Sequence, residues 1–253
     1  ERAVHSLKDM PTLETPGLTL TCVPVRATPF DVLICRDAGR LEQLPPAAVV
    51  GTSSVRRVAQ VKAMRDDLVI RGLRGNVDTR LRRLDGGEYD ALVLAGAGLE
   101  RLGLGGRVTE VLRPDAFWPA VSQGALALQA RADDAITLAA VAPLDHAASH
   151  AAVVAERACL AALAGGCLAP IGGWARTAEE GGLALGACVL EDDGGVVRRL
   201  VAEGATPCDE GDEVSVPAAE ELGREVAAGL LARGAAAMLA RMRAGGESGN
   251  ATP

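Results

Sequence analysis

The feature that most constrains the fold is a recurring unit: a short apolar run, a turn rich in glycine or hydroxyl residues, then a helix. Residues 47–50 run into Gly51-Thr52-Ser53-Ser54 and a helical stretch over 55–65. Residues 68–70 lead through Arg71-Gly72-Leu73-Arg74-Gly75-Asn76 into a helix over 77–84, stopped by Gly86-Gly87. Residues 91–95 end in Gly96-Ala97-Gly98 before a further helix starts at 99. The apolar runs are too short for helices and lack alternation, as expected of strands buried on both faces. The alternation predicts an α/β fold with a mainly parallel sheet covered by helices. Further strands are expected over 18–25, 31–35 and 124–129, and helices over 135–142 and 147–163. After Gly165-Gly166 the pattern changes. Strands over 183–190 and 196–202 flank Asp192-Asp193-Gly194-Gly195, a hairpin signature, and Ala-rich helices over 218–231 and 235–243 follow. Residues 147–243 thus read as a separate α+β domain and 244–253 as a flexible tail.

Charge is distributed unevenly along the 253 residues. The chain carries a net −7, yet the segment 51–107 holds 11 basic and 7 acidic residues, and the remainder is strongly acidic. One basic segment in an acidic protein predicts a local anion site; a nucleic-acid surface needs a broad basic face and stacking platforms, and aromatic residues are only 2% here. No run approaches the roughly 18 uncharged apolar residues that span a bilayer, and the opening residues have no apolar signal-peptide core. A cytoplasmic protein with no membrane or nucleic-acid partner is expected. The six cysteines, Cys22, Cys35, Cys159, Cys167, Cys188 and Cys208, include no C-x-x-C pair, consistent with reduced thiols. His146 and His150 stand one turn apart without an evident third ligand, so no metal is expected.

Four segments can carry chemistry. In His5-Ser6-Leu7-Lys8-Asp9-Met10-Pro11, a carboxylate beside a cation can stabilise positive charge or move a proton, although taken alone the segment also suits a surface turn. Gly51-Thr52-Ser53-Ser54-Val55-Arg56-Arg57 combines a helix N-terminus with two guanidinium forks suited to carboxylates; a plain Ser cap with solvated arginines is the alternative. Arg74, Arg80 and Arg101 stand on successive strand–turn–helix units, which deliver them to one sheet edge. Finally, Gly165-Gly166 lets a loop leave a long helix and present Cys167, which is otherwise a candidate buried thiol.

Taken together, HSLKDMP, GTSSVRR, RGLRGNVDTR, LAGAGLERLGL, VSQGALALQAR and AERACLAALAGGCLAPIG resemble the porphobilinogen deaminase (hydroxymethylbilane synthase) family in order and spacing from residue 1 to about 240. The resemblance implies three domains: 1–25 plus 121–143 as a discontinuous domain 1, 26–120 as domain 2, and 147–243 as a small α+β domain 3 carrying the cofactor cysteine. The first two are expected to resemble type 2 periplasmic binding proteins. It implies a transferase of tetrapyrrole (porphyrin and haem) biosynthesis. Four porphobilinogen molecules are deaminated and joined head-to-tail on a covalent dipyrromethane cofactor to give hydroxymethylbilane. Carried over, Asp9 is the catalytic carboxylate and Cys167 the thioether attachment. Lys8 contacts the cofactor, and Ser6, Thr52, Ser53 and Ser54 hydrogen-bond cofactor or substrate. Arg56, Arg57, Arg74, Arg80 and Arg101 bind acetate and propionate groups, and Asn76 and Gln123 lie in lining segments. A monomer is expected. Ser122 stands where the family usually has Gly, and Gln129 where Glu is common. The family also has roughly 75 further residues before the H-S-x-K-D motif, within one domain's size. If Glu1 is the true start, domain 1 is N-terminally incomplete, its apolar sheet face is exposed and activity is reduced. The alternative is a truncated or non-catalytic anion-binding protein of the periplasmic-binding type.

Overall fold

A computed structural model describes residues 2–12, 15–37, 39–163, 169–192, 197–208 and 213–248. In chain order its elements are β1 (Arg2–Ser6), β2 (Leu18–Cys22), β3 (Asp31–Cys35), β4 (Val49–Gly51), α1 (Val55–Met64), β5 (Val69–Arg71), α2 (Val77–Asp85), β6 (Ala91–Ala95), α3 (Gly96–Arg101), β7 (Glu110–Leu112), β8 (Leu126–Arg131), α4 (Ala135–Val141), α5 (Ala147–Ala162), β9 (Ile171–Thr177), β10 (Leu183–Asp192), β11 (Val197–Thr206), α6 (Val216–Ala232) and α7 (Ala235–Ser248). Among the described residues they build three sheets, ordered β1-β8-β2, β5-β4-β6-β3-β7 and β11-β10-β9. No single helix among them is long and apolar enough to cross a membrane. The last helix continues to Ser248, past the point where the tail was expected to begin.

The apolar runs of the middle sheet are buried on both faces, and the period of two is visible in the cores. Leu33 and Cys35 of β3 join Ala91 and Val93 of β6 in one cluster. Val32 and Ile34 join Leu92 and Leu94 in the other. The expectation of a mainly parallel sheet is corrected here. β4 pairs parallel with β5 and β6, but β3 pairs antiparallel with both β6 and β7. The outer two sheets are antiparallel throughout. Burial on both faces leaves no sequence trace of strand direction, because direction is decided by where the chain enters the sheet.

Three strands escape the sequence pattern. β1 is polar (Arg2, His5, Ser6) and lies at a sheet edge, while β7 is three residues long. β9 carries Gly172 and Gly173, which interrupt its apolar run. The structure gives a packing reason for one of them. A Cβ at Gly172 would lie 2.5 Å from Trp118 Cβ, and one at Gly186 of β10 would lie 2.4 Å from Trp118 Cη2. The third sheet therefore offers a glycine floor on which Trp118 of the middle unit lies.

The first and middle units are joined by two passing segments, residues 23–30 and 113–125. They cross at Gly124, whose φ is +87° and whose added Cβ would meet the Thr28 and Ala27 carbonyl oxygens at 2.5 and 2.6 Å. β8 therefore starts at Leu126, after this turn. Two residues earlier Ser122 has φ +60°, and its buried Oγ has no hydrogen-bond partner. A left-handed non-glycine residue with an orphan hydroxyl is strained. Ser122→Gly is expected to stabilise the fold by about 1 kcal/mol, raising Tm by about 2–4 °C. Thermal unfolding checks this; an unchanged or lower Tm would mean that the turn carries no such strain.

Candidate active site

A cleft of about 590 Å³ opens between the three units, bounded by the segment after β1, the start of α1, the 120–123 turn and α5. The segment after β1 is a tight turn over Leu7–Asp9. Leu7 is fully buried among Val23, Ala125, Ala127 and Val153, and its N–H donates to Ala125 O at 3.1 Å. This apolar plug leaves Asp9 exposed to the cleft and Lys8 half-buried beside it. Burial, then the positive charge of Arg57, hold the Lys8 ammonium below its ordinary pKa.

Across the cleft stands the N-terminus of α1. Ser54 occupies the cap position without making a side-chain cap bond, so the positive end of the helix meets the cleft at Ser54 and Val55. Arg56 and Arg57 follow, and both are buried. The carboxylate they grip is the protein's own Asp31, which is fully buried at the head of β3. Arg56 Nη1 donates to Asp31 Oδ2 at 2.7 Å and also to the Trp118 carbonyl. Arg57 Nε donates to Asp31 Oδ1 at 2.9 Å, and its Nη1 to Val93 O at 3.1 Å. Gln123 completes the network: its Nε2 donates to Asp31 Oδ1 at 3.0 Å and to Pro29 O at 2.7 Å. Although burial opposes ionisation, the two guanidiniums hold the Asp31 carboxyl below the usual carboxylate range. Burial and the neighbouring charges of Arg56 and Arg80 depress Arg57, against the pull of Asp31. One anion thus faces two cations, and the cleft wall keeps a positive surplus that a ligand carboxylate would relieve.

Of the sequence-derived candidates, Lys8, Asp9, Ser54, Arg56, Arg57 and Gln123 line this cleft. The other described candidates lie outside its lining. Arg56 and Arg57 both depart from the expected role of free forks, because each guanidinium is enclosed in the Asp31 network; Arg57 Nη2 also donates to Gln123 Oε1 at 3.4 Å. Ser6 pairs with Leu126 in the first sheet. Thr52 Oγ1 accepts the Ser54 N–H, and Ser53 Oγ exchanges hydrogen bonds with the Leu73 backbone. Asn76 caps α2 by accepting from Thr79 N at 2.9 Å. Arg80 donates to Gly75 O at 2.7 Å, Arg101 donates to Gly124 O at 2.9 Å, and Arg74 is exposed. Cys167 lies outside the described residues. No group of three or more metal-ligating side chains occurs among the described residues; His146 instead caps α5 and His150 pairs with Asp145.

Sequence reasoning missed Asp31, Arg26 and Glu156. Glu156 is fully buried in α5 and holds Arg26 through two bonds of 2.6 and 3.1 Å. The available signal was a carboxylate at the head of an apolar strand and another inside an Ala-rich helix, since acids in such places are rarely buried unless paired.

Fold and cleft together define an α/β protein with a charged cleft between its units. The family profile "Porphobilinogen deaminase, dipyromethane cofactor binding domain" matches residues 1–139, and "Porphobilinogen deaminase, C-terminal domain" matches residues 150–232. The porphobilinogen deaminase of Thermus thermophilus is 48% identical over 95% of this chain and 77% of its own length. That of Desulforudis audaxviator is 49% identical over 96% and 75%. The chain belongs to the porphobilinogen deaminase family. A lipoprotein of the YaeC family from Enterococcus faecalis shares 17% identity over 50% of this chain and 62% of its own, with a TM-score of 0.34, a likeness too slight to assign a shared architecture.

Asp31→Asn would leave two buried guanidiniums without their anion and is expected to destabilise the fold by about 3–5 kcal/mol. Because the folded-state pKa of Asp31 lies below its unfolded value, its contribution is full above the unfolded carboxylate pKa and is lost as pH falls through the folded one. Denaturant unfolding across acidic pH should show that loss in the parent chain and a flatter profile in the variant; matching profiles would count against the network.

Proposed function

We propose that this cleft deaminates porphobilinogen and joins it head-to-tail on a dipyrromethane held by Cys167, giving hydroxymethylbilane. The observation that carries the reading is an exposed carboxylate, Asp9, set in a cleft whose other charged walls hold surplus positive charge. The residues present fit such a cofactor: Lys8 and the uncapped start of α1 suit its carboxylates, the buried Arg57 adds positive charge behind them, and Asp9 suits pyrrole N–H groups. The bound cofactor would supply an electron-rich pyrrole carbon as nucleophile.

Asp9 accepts the substrate's pyrrole N–H and stabilises the positive charge that grows on the ring as ammonia departs. It then stands ready to accept the proton shed once the new carbon–carbon bond has formed. Lys8 and the start of α1 orient the substrate's acetate and propionate groups, each charge-assisted bond contributing about 1.5–3 kcal/mol, and the buried Arg57 adds positive charge behind them. Arg74 in the loop after β5, Arg80 in the first turn of α2 and Arg101 at the end of α3 serve later units of the chain, a role supported by their charge. We further propose that residues 1–25 with 121–143, residues 26–120 and residues 147–243 act as three domains, since each block carries its own sheet.

Two measurements test the reading. Asp9→Ala should abolish porphobilinogen consumption while leaving the circular-dichroism spectrum and Tm unchanged; turnover near that of the parent would remove Asp9 from the mechanism. The parent chain, when supplied with porphobilinogen, should gain the mass of two pyrrole units, and Cys167→Ala should not. Retention of the added mass in that variant would place the attachment elsewhere.

A further inference from the structure

We infer that Arg157 is a positioning residue that holds the backbone just after Asp9, and so sets where the Asp9 carboxylate stands in the cleft. The inference rests on the assignment of Asp9 above. Arg157 follows Glu156 on α5, and that turn of the helix is fixed in place. The Glu156 carboxylate accepts from Arg26, from Ser122 N at 2.5 Å and from Ala175 N at 2.8 Å. From this fixed base the Arg157 guanidinium donates to Met10 O at 3.5 Å and to Pro11 O at 2.5 Å. These are the carbonyls of the two residues that follow Asp9. On the other side of Asp9 the chain is anchored by the Leu7 plug and by the Leu7 N–Ala125 O bond. Asp9 is therefore clamped between an apolar anchor and a charged strut.

The strut is needed because packing holds only part of this segment: Met10 lies against the Leu7 cluster, whereas Pro11 is exposed. A second cavity of about 720 Å³ lies beyond it, and Asp9, Met10, Pro11, Thr12 and Arg157 line both cavities. The segment is a thin wall with open space on either face. Pro11 has no N–H to tie it into a ladder, so its carbonyl bond to Arg157 replaces the support a packed floor would give. A carboxylate misplaced by about 1 Å loses on the order of 100-fold in rate, without losing its substrate.

The test compares the full chain with Arg157→Ala and Arg157→Lys, using porphobilinogen as substrate and hydrogen–deuterium exchange of the peptide covering residues 8–12. Arg157→Ala should lower kcat about 10- to 100-fold with KM within about twofold, keep the added pyrrole mass, and speed exchange in that peptide. Arg157→Lys, whose ammonium can still reach one carbonyl, should recover part of kcat. A raised KM with unchanged kcat would make Arg157 a ligand for substrate carboxylates and overturn the inference, as would unchanged exchange at residues 8–12. If Arg157→Ala does not fold, intermediate kcat in Arg157→Lys supports the strut and parental kcat overturns it. An inactive parent chain would count against the proposed function, and the exchange measurement then decides the strut by itself: faster exchange supports it, unchanged exchange overturns it.

Discussion

A fully buried aspartate facing two adjacent arginines is a demanding arrangement, and much of this molecule is organised around satisfying it. Ions in the interior cost several kcal/mol each in lost hydration, and the loss is offset only where geometry supplies many short charge-assisted bonds. Here Asp31 receives bonds from Arg56, Arg57 and Gln123. These partners come from the first turn of α1 and from the turn before β8, so satisfying one carboxylate fixes the start of a helix, the head of β3 and the crossing of the two linking segments at once. The excess of cations over anions in this network also gives the cleft its sign.

A second buried ion pair plays the matching part on the side of the third sheet. Glu156 holds Arg26, and its oxygens also accept the Ser122 and Ala175 backbone N–H groups. Three units therefore meet at residues 122–124, which bond to Glu156, Asp31 and Arg101. The junction is thus built from two crossing segments and side-chain bonds, with apolar packing on either side of it: Trp118 against the third sheet, and Val23 and Ala125 against Val153 of α5. The strained Ser122 sits at this junction.

Apolar patterning made the middle unit legible. β3 and β6 lie where the apolar runs put them, and α1, α2 and α5 end within a residue of their expected limits. The polar edge strand β1, the short β7 and the glycine-bearing β9 left no such trace, because their place depends on the neighbours they pair with rather than on a face of their own. Within the site, Asp9, Lys8 and Arg57 were recognisable by charge type beside turns. Asn76 was not: it reads as a lining residue but is spent on capping α2.

By itself, then, the sequence determined the helices and the apolar strands, the basic character of the segment 51–107 and the identity of the acid set beside a lysine. Each of these follows from local chemistry and from periods of two to four residues. Only the tertiary structure decided which charge meets which. Arg56 finds Asp31 across 25 residues and Arg26 finds Glu156 across 130, and such distances along the chain are closed by topology alone. Strand direction, the glycine floor under Trp118 and the enclosure of Arg56 belong to the same class, since each depends on a neighbour that residue type and spacing do not name.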